Sequence, residues 1–192
     1  MLFRIALAVL LYTYTQDSFF IKLSDAAVQL TQDRVQYDPS YFVIDYPNGD
    51  VPANKGVCTD VVIRAYRKMG TDLQEKVHED MVRNFSIYPK DWGLKKPDKN
   101  IDHRRVPNLR TFFSRHGASL KPTSIPDDYT PGDIVTWDLG KGIAHIGIVI
   151  KERSADNIRH LVVHNIGNGQ EKTDCLFTYR ITGHYRYNPV RE

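Results

Sequence analysis

Three side chains have the types and the order for acyl transfer through a thiol: Cys58, then His145, then His164. Cys58 sits in Gly56-Val57-Cys58-Thr59-Asp60-Val61-Val62, His145 in Ile143-Ala144-His145-Ile146-Gly147-Ile148-Val149-Ile150, and His164 follows Leu161-Val162-Val163. A thiolate attacks a carbonyl carbon while an imidazole carries the proton to the leaving group, so this order suggests a cysteine hydrolase. Each residue also has a plainer reading. Cys58 and Cys175 are the two cysteines of the chain and would pair in an oxidising compartment. A histidine on an apolar strand is often a satisfied core residue, and one at a strand end is often a surface residue. Thiolate and imidazole are also zinc ligands, but the closely spaced Cys and His pairs of structural zinc sites are missing. His78-Glu79-Asp80 does not form a zinc-protease helix, because Val82 stands where the second histidine is needed. No metal and no cofactor is expected.

The elements that must position these residues follow from hydrophobic spacing. From Cys58 onward Val61, Val62, Ala65, Tyr66 and Met69 recur at helical intervals and Gly70 follows, which predicts a helix with Cys58 in its first turn. There the unpaired N–H groups and the helix dipole favour a thiolate, and the same groups could receive an oxyanion. Ser24 or Asp25 is expected to cap an earlier helix carrying Ala26, Ala27, Val28 and Leu30, with a turn-rich stretch from Tyr37 to Gly56 after it. Further helices are expected over Leu73 to Phe85 and from Leu109 to His116, separated by a surface excursion from Ile87 to Val106. Asp133 to Trp137, Ile146 to Ile150, Arg159 to His164 and Ile181 to Tyr187 read as strands, with a hairpin turn at Gly140-Lys141-Gly142. Helices first and consecutive strands after them predict an α+β domain, with the helices packed on one face of an antiparallel meander.

The 192 residues, 41% of them hydrophobic, suffice for one domain. A net charge of +3 with basic and acidic residues interspersed gives no indication of nucleic acid. Arg4 followed by Ile5 to Tyr12 is too short to span a bilayer and matches the core of a secretory signal, although Thr13-Tyr14-Thr15-Gln16 offers no small-x-small cleavage site. The expected organisation is a signal peptide or uncleaved anchor over 1–23 and a single domain over 24–192. No later membrane span is expected. The product would be periplasmic or secreted, and monomeric.

Pro131-Gly132-Asp133-Ile134-Val135 followed by His145-Ile146-Gly147-Ile148-Val149 resembles the strand pair of the NlpC-type cell-wall cysteine peptidases, which are papain-like in site chemistry. In that superfamily a helix-start cysteine precedes a Gly-Asp strand, a His-x-Gly-Ile strand and a third polar residue on the next strand. Cys58, His145 and His164 match those positions in order. More closely, the chain resembles an uncharacterised bacterial family related to those enzymes. That likeness rests on the Cys58 segment, Val77-His78-Glu79-Asp80-Met81, Asn100 to Asn108, and Val163-His164-Asn165-Ile166-Gly167, and it extends from about Tyr37 to Tyr187. The nucleophile motif departs from the superfamily's usual Asp-Cys-Ser-Gly, since Val57-Cys58-Thr59-Asp60 stands here.

The resemblance implies a papain-like NlpC-type fold and an exported amidohydrolase that cuts an amide bond in peptidoglycan stem peptides. Cys58 would be the nucleophile, His145 the base, and His164 the group that fixes the base's tautomer. Asp102, His103, Arg104 and Arg105 are candidates for binding a substrate carboxylate, with a surface ion-pair network as the plainer account. Asp60 and Asn165, within the matching segments, join them as candidate substrate contacts. A thiol acyltransferase or lipid hydrolase of the same superfamily is an alternative, although such members commonly place histidine before cysteine. A wall-binding module without activity is another.

Overall fold

The computed structural model describes residues 18–189. The helices are those whose apolar residues recur at three and four positions. Helix α1 covers 18–30, with Phe19, Phe20, Leu23, Ala26, Ala27 and Leu30 buried. Helix α2 (Cys58–Lys68) is buried over its first nine residues, from Cys58 to Tyr66, and lies at the centre of the fold. Helix α3 (Leu73–Asn84) starts at Asp72, whose side chain accepts the Gln74 N–H, and buries Leu73, Val77 and Met81. Helix α4 (Val106–His116) has proline in its first turn and buries Val106, Leu109, Phe112 and Phe113. Tyr66, Phe112, Phe113 and Tyr187 interlock around the α2–α4 contact, and the Tyr66 hydroxyl donates to the Tyr187 carbonyl at 2.8 Å.

Two sheets complete the architecture. Strands β1 (Gln36–Tyr37) and β2 (Lys55–Gly56) form a short parallel pair immediately before α2. The main sheet contains β3 (Ala118–Leu120), β4 (Ile134–Asp138), β5 (Ala144–Arg153), β6 (His160–His164), β7 (Glu171–Thr173) and β8 (Arg180–Arg186). Its order is β3-β8-β4-β5-β6-β7 and every pairing is antiparallel. Alternation along β5 sends Ile146, Ile148 and Ile150 to the helix side. Val149, with Trp137 and Val162, packs on the opposite side against Leu176 and Tyr129.

The α+β class and the helix layer on one sheet face are as the sequence implies. Four local expectations are revised. The first helix is not capped at Ser24 or Asp25: the chain is already helical at residue 18, and buried Ser24 accepts the Lys151 N–H at 3.1 Å. Phe19, Phe20 and Leu23 extend the apolar face upstream, and their packing overrides the local capping signal. Residues 18–23 of the expected leader therefore lie in α1 and the core, while the leader up to residue 17 falls outside the described residues. The turn-rich stretch holds β1 and β2, and the end of the surface excursion is interior, with Asp102, His103 and Arg104 buried. Only β4 to β7 form a meander; β8 returns to pair with β4 and carries β3 on its far side.

Candidate active site

Cys58 is placed by the start of α2. Val57 is the extended N-cap, and because valine offers no side-chain acceptor, the cap is made in reverse: the Asp60 carboxylate accepts the Val57 N–H at 2.6 Å. That carboxylate is in turn held by both nitrogens of a buried fork, Arg104 Nε at 2.9 Å and Nη2 at 3.0 Å. Arg104 also reaches the Ser40 carbonyl, and Thr59 Oγ1 donates to the Arg104 carbonyl. The first turn of α2 is thus tied to the 38–40 segment and to the turn before α4. Cys58 forms part of the wall of a cleft of about 410 Å³ bordered by Tyr37, Trp92, Arg105 and Ile143.

The two histidines come from adjacent antiparallel strands. His145 is opposite Trp137 on β4, and its Nε2 lies 2.7 Å from His164 Nδ1 on β6. His164 Nε2 continues to Thr173 Oγ1 on β7 at 2.6 Å, with Cys175 Sγ 3.7 Å away. Gly147 permits this proximity. A Cβ there would come within 2.9 Å of the Val163 carbonyl and 3.1 Å of His164 Cβ, so any larger residue would push β6 and its histidine away.

Burial sets the protonation states. It pushes the Cys58 thiol up to about 12, although the N–H groups of Ile146, Thr59 and Cys58 itself favour the anion; Asp60 adds to the rise. The expected resting thiolate is therefore not the form that this environment favours: desolvation outweighs the helix start. Burial and then the neighbouring His164 take His145 down to about 3, and burial takes His164 down to about 4. At neutral pH the site holds a thiol and two neutral imidazoles. Among the described residues no hydrogen bond joins Cys58 to His145, and the sulfur lies instead by the N–H of the next residue, Ile146. Catalytic hydrogen bonds are often long before substrate binds. Both cysteines are free thiols, so the Cys58–Cys175 pairing is not formed.

A family model described as Domain of unknown function (DUF1287) matches residues 24–187. The chain belongs to the DUF1287 family. It is also similar to the uncharacterized protein YijF of Escherichia coli (strain K12), at 52% identity over 167 residues that cover 87% of this chain and 81% of that protein.

Within this DUF1287 domain the six candidate substrate contacts separate by environment. Asp60 is committed to the Val57 N–H and Arg104. Asp102, fully buried, takes His78 Nδ1 at 3.0 Å and the Asp98 N–H at 2.7 Å, and burial raises its pKa despite those partners. His103 is buried and held down to about 3 by burial. Asn165, also enclosed, donates to the Gly56 carbonyl and accepts from the Gly167 N–H. These four are interior structural groups and not cleft contacts. The reading of Asp102 to Arg105 as a surface ion-pair network does not hold for Asp102, His103 and Arg104, which are buried. Arg104 and Arg105 border the cleft, and of the two only Arg105 has a buried guanidinium nitrogen, Nη1, without a hydrogen-bond partner.

Three participants had no recognisable signal in the sequence. Thr173 lies on a three-residue edge strand too short for periodicity, Trp92 sits in a Pro- and Gly-rich loop, and the Ile146 amide is backbone. Asp133, from the Gly-Asp motif, is structural: it accepts from His184 Nε2 at 2.6 Å and from the Thr130 N–H at 2.9 Å, and it forms an ion pair with Arg186. Among the described residues no cluster of three or more His, Cys, Asp or Glu is arranged to hold a metal ion.

Proposed function

We propose that this DUF1287 protein is an exported cysteine amidohydrolase of papain-like, NlpC-type design that cuts an amide bond in peptidoglycan stem peptides. The observation that carries the reading is a helix-start thiol bordering an open cleft, next to a strand whose histidine is held by a second histidine and a threonine.

The tautomers follow from the roles. His145 carries its proton on Nε2 and donates to His164 Nδ1, which leaves His145 Nδ1 as the base; His164 donates from Nε2 to Thr173. As Cys58 Sγ attacks the carbonyl carbon, its proton passes to His145 Nδ1. The carbonyl oxygen becomes an oxyanion, received by the Cys58 and Thr59 N–H groups that face the sulfur at the α2 start. Collapse breaks the C–N bond, His145 returns the proton to the leaving amine, and a thioester remains. Water, deprotonated by His145, attacks the thioester carbonyl and releases the acid and the thiol. Because burial disfavours both the thiolate and the imidazolium, proton transfer accompanies attack and does not precede it.

A second reading draws support from the cleft rim, where Trp92 is 62% and Ile143 59% exposed, surfaces that would suit an acyl chain. It makes the protein a thiol acyltransferase on lipid substrates. The two readings separate when Cys58-dependent turnover is measured on purified peptidoglycan and on acyl lipid side by side. Turnover of lipid alone sinks the first.

A further inference from the structure

Adjacent arginines at the cleft differ in what they are bonded to. Arg104 faces both oxygens of Asp60 and the Ser40 carbonyl. Arg105 has no such partner: its Nη1 is buried without a hydrogen bond, and among the described residues no ion pair engages it. The guanidinium carbon lies 4.2 Å from the centre of the Trp92 ring, on a loop that holds Trp92 at φ 62°. That stacking fixes the direction of the side chain without using its in-plane donors. Asp91, Asp98 and Asp102 add favourable charge at longer range, while burial opposes it. Of the three, Asp102 is fully buried and engaged by His78, and Asp91 is an exposed cleft residue screened by water.

A guanidinium that is partly desolvated, held from one face and left with open donors needs a planar acceptor. We propose that Arg105 is a specificity-determining residue that binds a substrate carboxylate, so that the amide presented to Cys58 belongs to an anionic peptide. The inference rests on the amidohydrolase reading and names which part of the substrate the cleft selects. The carboxylate lies within one cleft length of the thiol, because the same cavity is bordered by both residues.

The probes are soluble disaccharide-peptide fragments of peptidoglycan, one preparation native and one with its carboxyl groups converted to amides. The wild-type protein should cleave the native preparation with kcat/KM about 10- to 100-fold higher, the range for a charged hydrogen-bonding contact. Arg105→Gln should remove that preference mainly through KM, and Arg105→Lys should restore part of it; thermal unfolding of both variants checks that they fold. Equal Cys58-dependent cleavage of the two preparations by the wild type overturns the carboxylate site and leaves the hydrolase standing. If neither is cleaved, the hydrolase reading fails, and calorimetric binding of both preparations to Cys58→Ala protein decides the site. Tighter binding of the native preparation, lost in a Cys58→Ala/Arg105→Gln protein, supports it; equal binding or none overturns it.

Discussion

At the residue scale the central pair is a thiol and an imidazole that are both neutral at rest. Cys58 raised to about 12 and His145 lowered to about 3 make the free protein a poor nucleophile toward simple reagents. Iodoacetamide should therefore alkylate Cys58 more slowly at pH 7.5 than it alkylates free cysteine. Labelling faster than free cysteine would mean a resting thiolate. Because His145 needs to lose no proton in the neutral range, kcat/KM should remain flat down to about pH 5, whereas an ordinary histidine base would fall off near 6.5. His164→Ala should reduce kcat about 10²-fold, since it orients the base without touching the thiol. Cys58 and its helix were legible because periodicity and a glycine stop surround them. The protonation state was not, because a helix start says nothing about how deeply the sulfur is buried.

Elements transmit the constraints that bring the site together. The buried Asp60–Arg104 pair fastens the start of α2 to the segment before α4, and removing one partner leaves a charge without compensation. Arg104→Ala should lower unfolding stability by about 3–5 kcal/mol, as seen in chemical denaturation, while Asp60→Leu/Arg104→Met should cost less than the two single changes summed. The opposite ordering would place the contribution elsewhere. Gly147→Ala forces β6 away from β5 and should reduce activity more than its stability loss explains. The β4–β5 and β5–β6 pairings were readable from alternating apolar runs and the hairpin turn between Gly140 and Gly142. The role of Arg104 was not: a basic, turn-rich stretch reads as surface, and its burial depends on a carboxylate 44 residues earlier in the chain.

For the whole molecule, three neutral histidines in the interior make acid the weak side. His103, His145 and His164 have folded-state values of about 3, 3 and 4, all below the 6.5 of the exposed side chain. The unfolded chain binds protons through that interval and the folded one does not, so stability present above pH 6.5 is lost as pH falls. Each histidine should cost about 2 kcal/mol between pH 7.5 and 5, a figure that depends only on its folded value staying below 5. The raised Asp102 opposes the trend, because it takes up its proton at higher pH in the folded protein than in the unfolded chain. Tm should therefore drop steeply from pH 7.5 to 5, and His103→Phe should flatten the slope without touching the thiol site. A Tm independent of pH would contradict the buried-neutral assignment. The layer architecture was legible from helices preceding strands; the extension of α1 upstream of Ser24 was not, because the polar pair at 24–25 resembles a cap until tertiary packing is known.

The most direct test of the account is digestion of purified peptidoglycan by the full protein and by Cys58→Ala, with released fragments identified by mass spectrometry. The account predicts fragments that carry a newly exposed carboxyl and amine at one stem-peptide amide and that disappear in the variant. Fragments released equally by both proteins, or by neither, would contradict it.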